Sequence, residues 1–249
     1  MTKPIFAHAI FDDSGNVLVG GSVTPGLPFA NPTVYSINLA TGGVNYSATP
    51  WIAAIDRPVG MIFANKRVYV ALDGSTQNLF ALNASNGSVI WSDSIPGTSA
   101  VVPAYDSSTD TLFAASSAAE IRSYNASTGA LNWKQIDSNI AACLIDDAFR
   151  PIFITNEFSS VYTVDKATGA KRKDIGQFRD RCNIARMGPN STIYVGTIYG
   201  TYVMDPVHNN SYLIVGNNVL NFEVTPGPNL YTIDENGFSA FLAGSKTPT

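Results

Sequence analysis

The sequence predicts an all-β protein: a six-bladed β-propeller of four-stranded antiparallel blades, the last one incomplete. Three observations carry this expectation. A phrase recurs at one spacing, short apolar segments alternate with turn residues, and no stretch spaces its apolar residues by three and four over helical length. The phrase is an apolar strand, then Asx-x-x-x-Gly, then an aromatic residue four places past the glycine. Its copies are VYSINLATGGVNY (Val34 to Tyr46), LFALNASNGSVIW (Leu79 to Trp91), IRSYNASTGALNW (Ile121 to Trp133) and VYTVDKATGAKRK (Val161 to Lys173). The turn glycines Gly42, Gly87, Gly129 and Gly169 stand 45, 42 and 40 residues apart, and a decayed copy puts Asn210 in the glycine's place 41 residues further on. Repetition at this period marks stacked supersecondary units, each burying its faces against its neighbours.

Each unit divides into four strand-like segments. In the second unit these are Val59–Ala64, Val68–Leu72, Leu79–Asn83 and Ser88–Ser92, separated by Asn65 to Arg67, Asp73 to Asn78 and Ala84 to Gly87. Segments of five or six residues rich in Val, Ile, Tyr and Phe, joined by Gly and Asn turns, form a meander. Runs such as VYVAL are apolar on both alternating sets, so both sheet faces are covered, as in sheets stacked on one another. The first strands fall at Phe6–Phe11, Val59–Ala64, Val101–Tyr105, Ile140–Ile145, Ile184–Met187 and Val219–Val224. They define blades at about 6–51, 52–95, 96–137, 138–177, 178–216 and 217–249 of a single domain. The last blade has Leu230–Ile233 and Phe238–Ala243 after its first strand and no fourth, so the joint between the last and first blades is expected to be the softest.

Composition narrows the function classes. Of 249 residues, 45% are hydrophobic and only 14% charged, ample for a packed core and wrong for a disordered chain. A net charge of −4 argues against a nucleic-acid surface, which needs a basic face. No apolar run approaches the length that spans a membrane, and the segment MTKPIFAHAIFDD does not read as a signal peptide. Six Asn-x-Ser/Thr sequons, at Asn45, Asn83, Asn86, Asn125, Asn190 and Asn209, are compatible with a secreted or periplasmic protein, but turn chemistry alone places Asn, Ser and Gly there. The compartment stays open. Cys143 and Cys182 are expected as two buried free thiols, with a disulfide between adjacent units as the alternative, and no Cys/His cluster suggests zinc.

A strand ending in Asn-Ala-x-x-Gly with a tryptophan four places on resembles the pyrroloquinoline-quinone-like (PQQ-like) repeat. LFALNASNGSVIW and EIRSYNASTGALNW match it best, and the match recurs in five of the six units. The resemblance implies that Trp91 and Trp133 dock between blades, with Tyr46 in the same role, while Lys173 and Ile214 depart from the pattern. Quinone enzymes of the family carry a vicinal cysteine pair and a Glu/Asn/Asp calcium set that find no counterpart here. No cofactor or metal is therefore expected. Other relatives use the propeller as a binding platform, and this chain looks more like them.

The residues suited to recognition gather on one rim, where the inter-blade loops and the second-to-third strand loops should lie. The candidates are Leu27, Phe29, Asp73, Glu120, Glu157, Phe178, Arg179, Arg181 and Asp234. Leu27 and Phe29 lie in an enlarged, proline-stiffened loop, Thr24 to Pro32, either a partner-contacting arm or an insertion packed on its own blade. Arg179 and Arg181 suit carboxylate or phosphate groups, or else form a salt-bridged loop with Asp180. The carboxylates Asp73, Glu120, Glu157, Asp234 and Glu235 can converge on a cation or act as ordinary turn acids. Trp51, Asp56 and Arg57 are placed on the same rim. His8 and His208, the two histidines, have no nucleophile beside them. Asp12 to Asn16 lacks the terminal glutamate of a calcium loop and reads as a tight turn. The expectation is a monomeric, non-catalytic binding or scaffold domain for a protein, peptide or glycan. The alternatives are a pore-located enzyme (a small hydrolase or a degenerate quinone or sugar oxidoreductase) and a fragment of a longer repeat protein.

Overall fold

The computed structural model describes residues 9–22, 32–51, 57–73, 77–97, 100–118, 120–137, 139–155, 160–178, 180–205, 210–215, 219–224, 229–234 and 237–242. Two compact units, Met1–Ile136 and Asp137–Thr249, divide the chain between its third and fourth repeats.

The first unit holds three four-stranded meanders. Blade 1 is Ile10–Phe11, Asn16–Ser22, Pro32–Asn38 and Val44–Ala48; blade 2 is Arg57–Ala64, Arg67–Asp73, Leu79–Asn83 and Val89–Asp93. Blade 3 is Ala104–Asp106, Thr111–Ala115, Glu120–Asn125 and Leu131–Ile136. In the second unit, blade 4 is Ile140–Ile145, Pro151–Thr155, Ser160–Val164 and Lys171–Gln177, and blade 5 is Ile184–Met187, Ile193–Thr197, Gly200–Asp205 and Asn210–Val215. A last sheet has Val219–Val224, Asn229–Asp234 and Gly237–Leu242. All pairings are antiparallel between consecutive strands. The chain is thus all-β, of propeller-type four-stranded blades, and the described residues include one short 3-10 turn, Pro189–Ser191. Among the described residues it has five full four-stranded blades, and the sixth stretch, expected to lack its fourth strand, forms a sheet of three strands rather than a full blade.

The recurring phrase is a turn with a mechanism. In blade 1 the Asn38 side-chain oxygen accepts the backbone N–H groups of Ala40 and Thr41 at 2.9 and 3.0 Å. The chain then reverses through Gly42, at φ 70°, whose N–H donates to the Asn38 carbonyl. The same device recurs at Asn83/Gly87, Asn125/Gly129 and Asp165/Gly169, with glycine φ values of 73°, 74° and 73°. A short Asx side chain satisfies the orphaned amides, and glycine takes the left-handed backbone that a Cβ disfavours. A bulge just after the turn sets the aromatic residue opposite a small one: Tyr46 pairs with Ser36, Trp91 with Ala81 and Trp133 with Ser123.

Alternation then sandwiches each sheet. In blade 2, Val68, Val70, Leu72, Phe80 and Leu82 face blade 1 in a core shared with Leu18 and Val34. Tyr69, Leu79 and Ala81 face blade 3 and meet Leu112, Ala114 and Tyr124. In the second unit, Ile152, Ile154 and Val161 of blade 4 pack on Ile193, Val195 and Met204 of blade 5. In blades 2 to 4 the second and third strands are buried along almost their whole length, whereas Leu131–Ile136 buries only Trp133. The apolar-on-both-faces reading of these strands is met by neighbours on both sides.

Candidate functional site

Tryptophan docking is visible in the first unit. Trp91 of blade 2 stacks on Tyr124 of blade 3 with centroids 5.6 Å apart, and its indole N–H donates to the Ala126 carbonyl at 2.9 Å. The Tyr69 hydroxyl donates to the same carbonyl at 3.1 Å. The Trp91 ring lies so close over the blade 3 turn that a Cβ on Gly129 would sit 2.6 Å from its Cγ. Tyr46 of blade 1 does the same to blade 2, lying 2.6 Å from where a Gly87 Cβ would be. Phe113, in its own blade, flanks Trp133 at 6.1 Å.

The candidate rim fares unevenly. Leu27, Phe29, Glu157 and Arg179 lie outside the described residues, as do Asp56, His8 and His208. Asp73 ends the second strand of blade 2 and is half-buried. Asp234 ends its strand in register with Gly237. Arg181 is exposed, and its backbone N–H donates to the Asp180 carboxylate at 2.8 Å. Phe178 is no surface contact: its ring is buried against Tyr202, 5.8 Å away, in the core between blades 4 and 5. Trp51 is likewise core, edge-on to Phe80. Cys143 and Cys182 are buried and form no disulfide, and burial pushes the Cys182 thiol up to about 12.

Glu120 is taken by a residue that the sequence reading passed over. It is buried beside Arg122, whose Nε donates to its carboxylate at 2.5 Å. Arg122 also donates to Asp93 of blade 2 at 2.7 Å, and the Tyr124 hydroxyl donates to the same Asp93 oxygen at 2.8 Å. Glu120, Arg122 and Tyr124 alternate along one strand, so all three face blade 2. Burial works against the Arg122 charge, but the bonds with Glu120 and Tyr124 outweigh it and raise its pKa. Burial raises that of Tyr124 as well. This network seals an inter-blade joint and ties one Glu120 oxygen to Arg122. Among the described residues no three His, Cys, Asp or Glu side chains gather as a metal site.

The notable concavity lies on another part of the first unit. An open cleft of ≈ 990 Å³ runs between blades 1 and 2, lined by the first-to-second and third-to-fourth strand turns of both. Amide and hydroxyl side chains line it, Asn16, Ser36, Asn38 and Asn45 from blade 1 and Asn65, Asn83 and Ser85 from blade 2, beside the apolar Ala84 and Ile90. The charged residues on it, Asp12, Asp13, Lys66 and Arg67, balance. Asp12 to Asn16 is the expected tight turn, with the Asp12 carboxylate accepting from the Ser14 and Asn16 amides and the Asn16 side chain at 2.7 to 2.9 Å. Burial raises the Asp12 pKa, but these bonds prevail and lower it.

The matching joint between blades 2 and 3 is bridged. Arg67 donates to Ser127 at 2.9 Å and Asn65 to Asp110 at 3.2 Å, while Tyr105 and Ser127 also donate to Asp110. Burial raises the Asp110 pKa, yet those donors and the Arg67 charge bring it down. The residue at Arg67's place in blade 1 is Asn16, too short to reach across. The cleft therefore stays open where its neighbour is tied.

Docking tryptophans, Asx-Gly turns and four-stranded blades are what the PQQ-like repeat implies. The sequence profile of the family described as "Outer membrane protein assembly factor BamB" matches residues 23–175, more than half of the chain. The chain belongs to this PQQ-like repeat family. A curated relative is the tetrathionate hydrolase of Acidithiobacillus ferrooxidans, 31% identical over 132 residues, which are 52% of this chain. The matched stretch spans 25% of that enzyme's length.

Proposed function

We propose that this PQQ-like repeat chain is a non-catalytic binding platform for a protein, peptide or glycan, with the cleft between blades 1 and 2 as its ligand seat. The observation that carries the proposal is the open joint itself. Side chains there have hydrogen-bond capacity left over, whereas the equivalent joint spends its own on bridging bonds. A rigid sheet scaffold presenting polar turns suits recognition with little ordering cost. The proposal assigns no quinone or calcium, since the family's vicinal cysteines are absent from the sequence.

A second reading is an enzyme, favoured by the partial similarity to tetrathionate hydrolase. One titration separates the two. The ¹⁵N-labelled chain is mixed in turn with peptides, neutral oligosaccharides and tetrathionate while tetrathionate is assayed. Saturable shifts at cleft amides with constant tetrathionate are the expected outcome. Steady consumption of tetrathionate would replace the platform with the enzyme, and silence from every probe would remove this seat.

A further inference from the structure

We infer that the ligand of this cleft is a neutral, polyhydroxylated chain, that is, an unsubstituted stretch of glycan. The inference rests on the cleft being the seat proposed above. Its grounds are the chemistry that the cleft leaves unused. Asn38 turns its side-chain oxygen inward to two turn amides, and Asn83 does the same to the Ser85 amide and hydroxyl. Both therefore point an amide NH₂ away from the turn, and among the described residues those NH₂ groups donate to nothing. Asn45 holds its own NH₂ on Asn16 and Ser36, at 3.0 and 3.2 Å, leaving its oxygen as an acceptor.

The result is two unused amide donors and an unused amide acceptor without a dominant charge. Arg67 and Asn65 are engaged by blade 3 and Asp12 by its own turn, so Lys66 and Asp13 are the charges still facing solvent, one of each sign. An anion such as a phosphate or polythionate would find one ammonium set against a carboxylate. A basic peptide would find the converse. Hydroxyl groups both donate and accept, so one run of them meets the Asn38 and Asn83 donors and the Asn45 acceptor alike. Ile90, 42% exposed, offers an apolar patch for the C–H face of a sugar ring.

The test is a TROSY titration of the full ¹⁵N chain with maltohexaose, cellohexaose and laminarihexaose in the millimolar range, with tetrathionate and a basic hexapeptide as comparators. At least one neutral hexaose is expected to shift amides within 36–45, 65–67 and 83–85 saturably. Replacing Asn38→Ala and Asn83→Ala together is expected to weaken that binding about tenfold, as two lost donors would. Asn125→Ala, the same turn position at the bridged joint, controls for turn damage and is expected to leave affinity unchanged. If tetrathionate or the peptide moves these amides and no hexaose does, the glycan assignment falls while the seat stands. If none of the five probes moves them, both fall.

Discussion

Gly129→Ala isolates the docking contact that ties blade 3 to blade 2, and Gly42→Ala supplies its control. Both glycines occupy the same turn position with φ of 74° and 70°, so each alanine incurs the same left-handed backbone cost, about 1–2 kcal/mol. Their surroundings differ. A Cβ at Gly42 meets nothing within 4 Å, whereas one at Gly129 lands 2.6 Å from Trp91 Cγ and 2.7 Å from Cδ2. The indole must move, which costs its hydrogen bond to Ala126, about 1 kcal/mol, and its stack on Tyr124, about 1 kcal/mol more. The expected losses are therefore about 1–2 kcal/mol for Gly42→Ala and about 3–4 kcal/mol for Gly129→Ala. Urea unfolding followed by tryptophan fluorescence measures this, because Trp51, Trp91 and Trp133 all lie in the first compact unit. The slope should stay constant while the midpoint moves. Equal losses at the two positions would refute the docking argument.

Arg122→Met should destabilise the first unit by about 3 kcal/mol, since Glu120 is left buried and unpaired, and adding Glu120→Met should recover most of that loss in the same unfolding assay. Neither thiol should react with a thiol reagent at pH 8 until the protein unfolds, because Cys143 and Cys182 are buried and the Cys182 pKa is pushed up to about 12. The Asp165 carboxyl is held down at about 2, first by Arg172 and then by Thr168, so its contribution is present above the ordinary 3.8 and is lost as pH falls through about 2. Carboxyl ¹³C titration of Arg172→Gln should move that midpoint up toward 3.8; an unmoved midpoint would discard the assignment to Arg172.

Periodicity and turn chemistry made the strands legible. Ile140–Ile145, Ile184–Met187, Val219–Val224 and Leu79–Asn83 begin and end where the sequence places them, because turn residues bracket each one. The first strand of blade 3 was expected at Val101–Tyr105 and forms at Ala104–Asp106, since Pro103 has no N–H to give a ladder. Phe178 and Trp51 were read as surface because they adjoin loops, but packing against Tyr202 and Phe80 is long-range and leaves no local mark. The Glu120–Arg122 pair was legible in principle, as residues two apart on a strand share a face. The cleft was not. Asn38, Asn83 and Asn125 are alike in sequence, and what separates an open joint from a tied one is the reach of Arg67 against that of Asn16, which matters only once blades are placed side by side.

A crystal structure of the chain grown with whichever neutral hexaose binds would test the ligand seat most directly. The expected result is sugar density in the trough between blades 1 and 2, with hydroxyls on the Asn38 and Asn83 amides and a ring face on Ile90. Density elsewhere on the molecule, or a trough closed by side chains bridging as Arg67 bridges to blade 3, would contradict it.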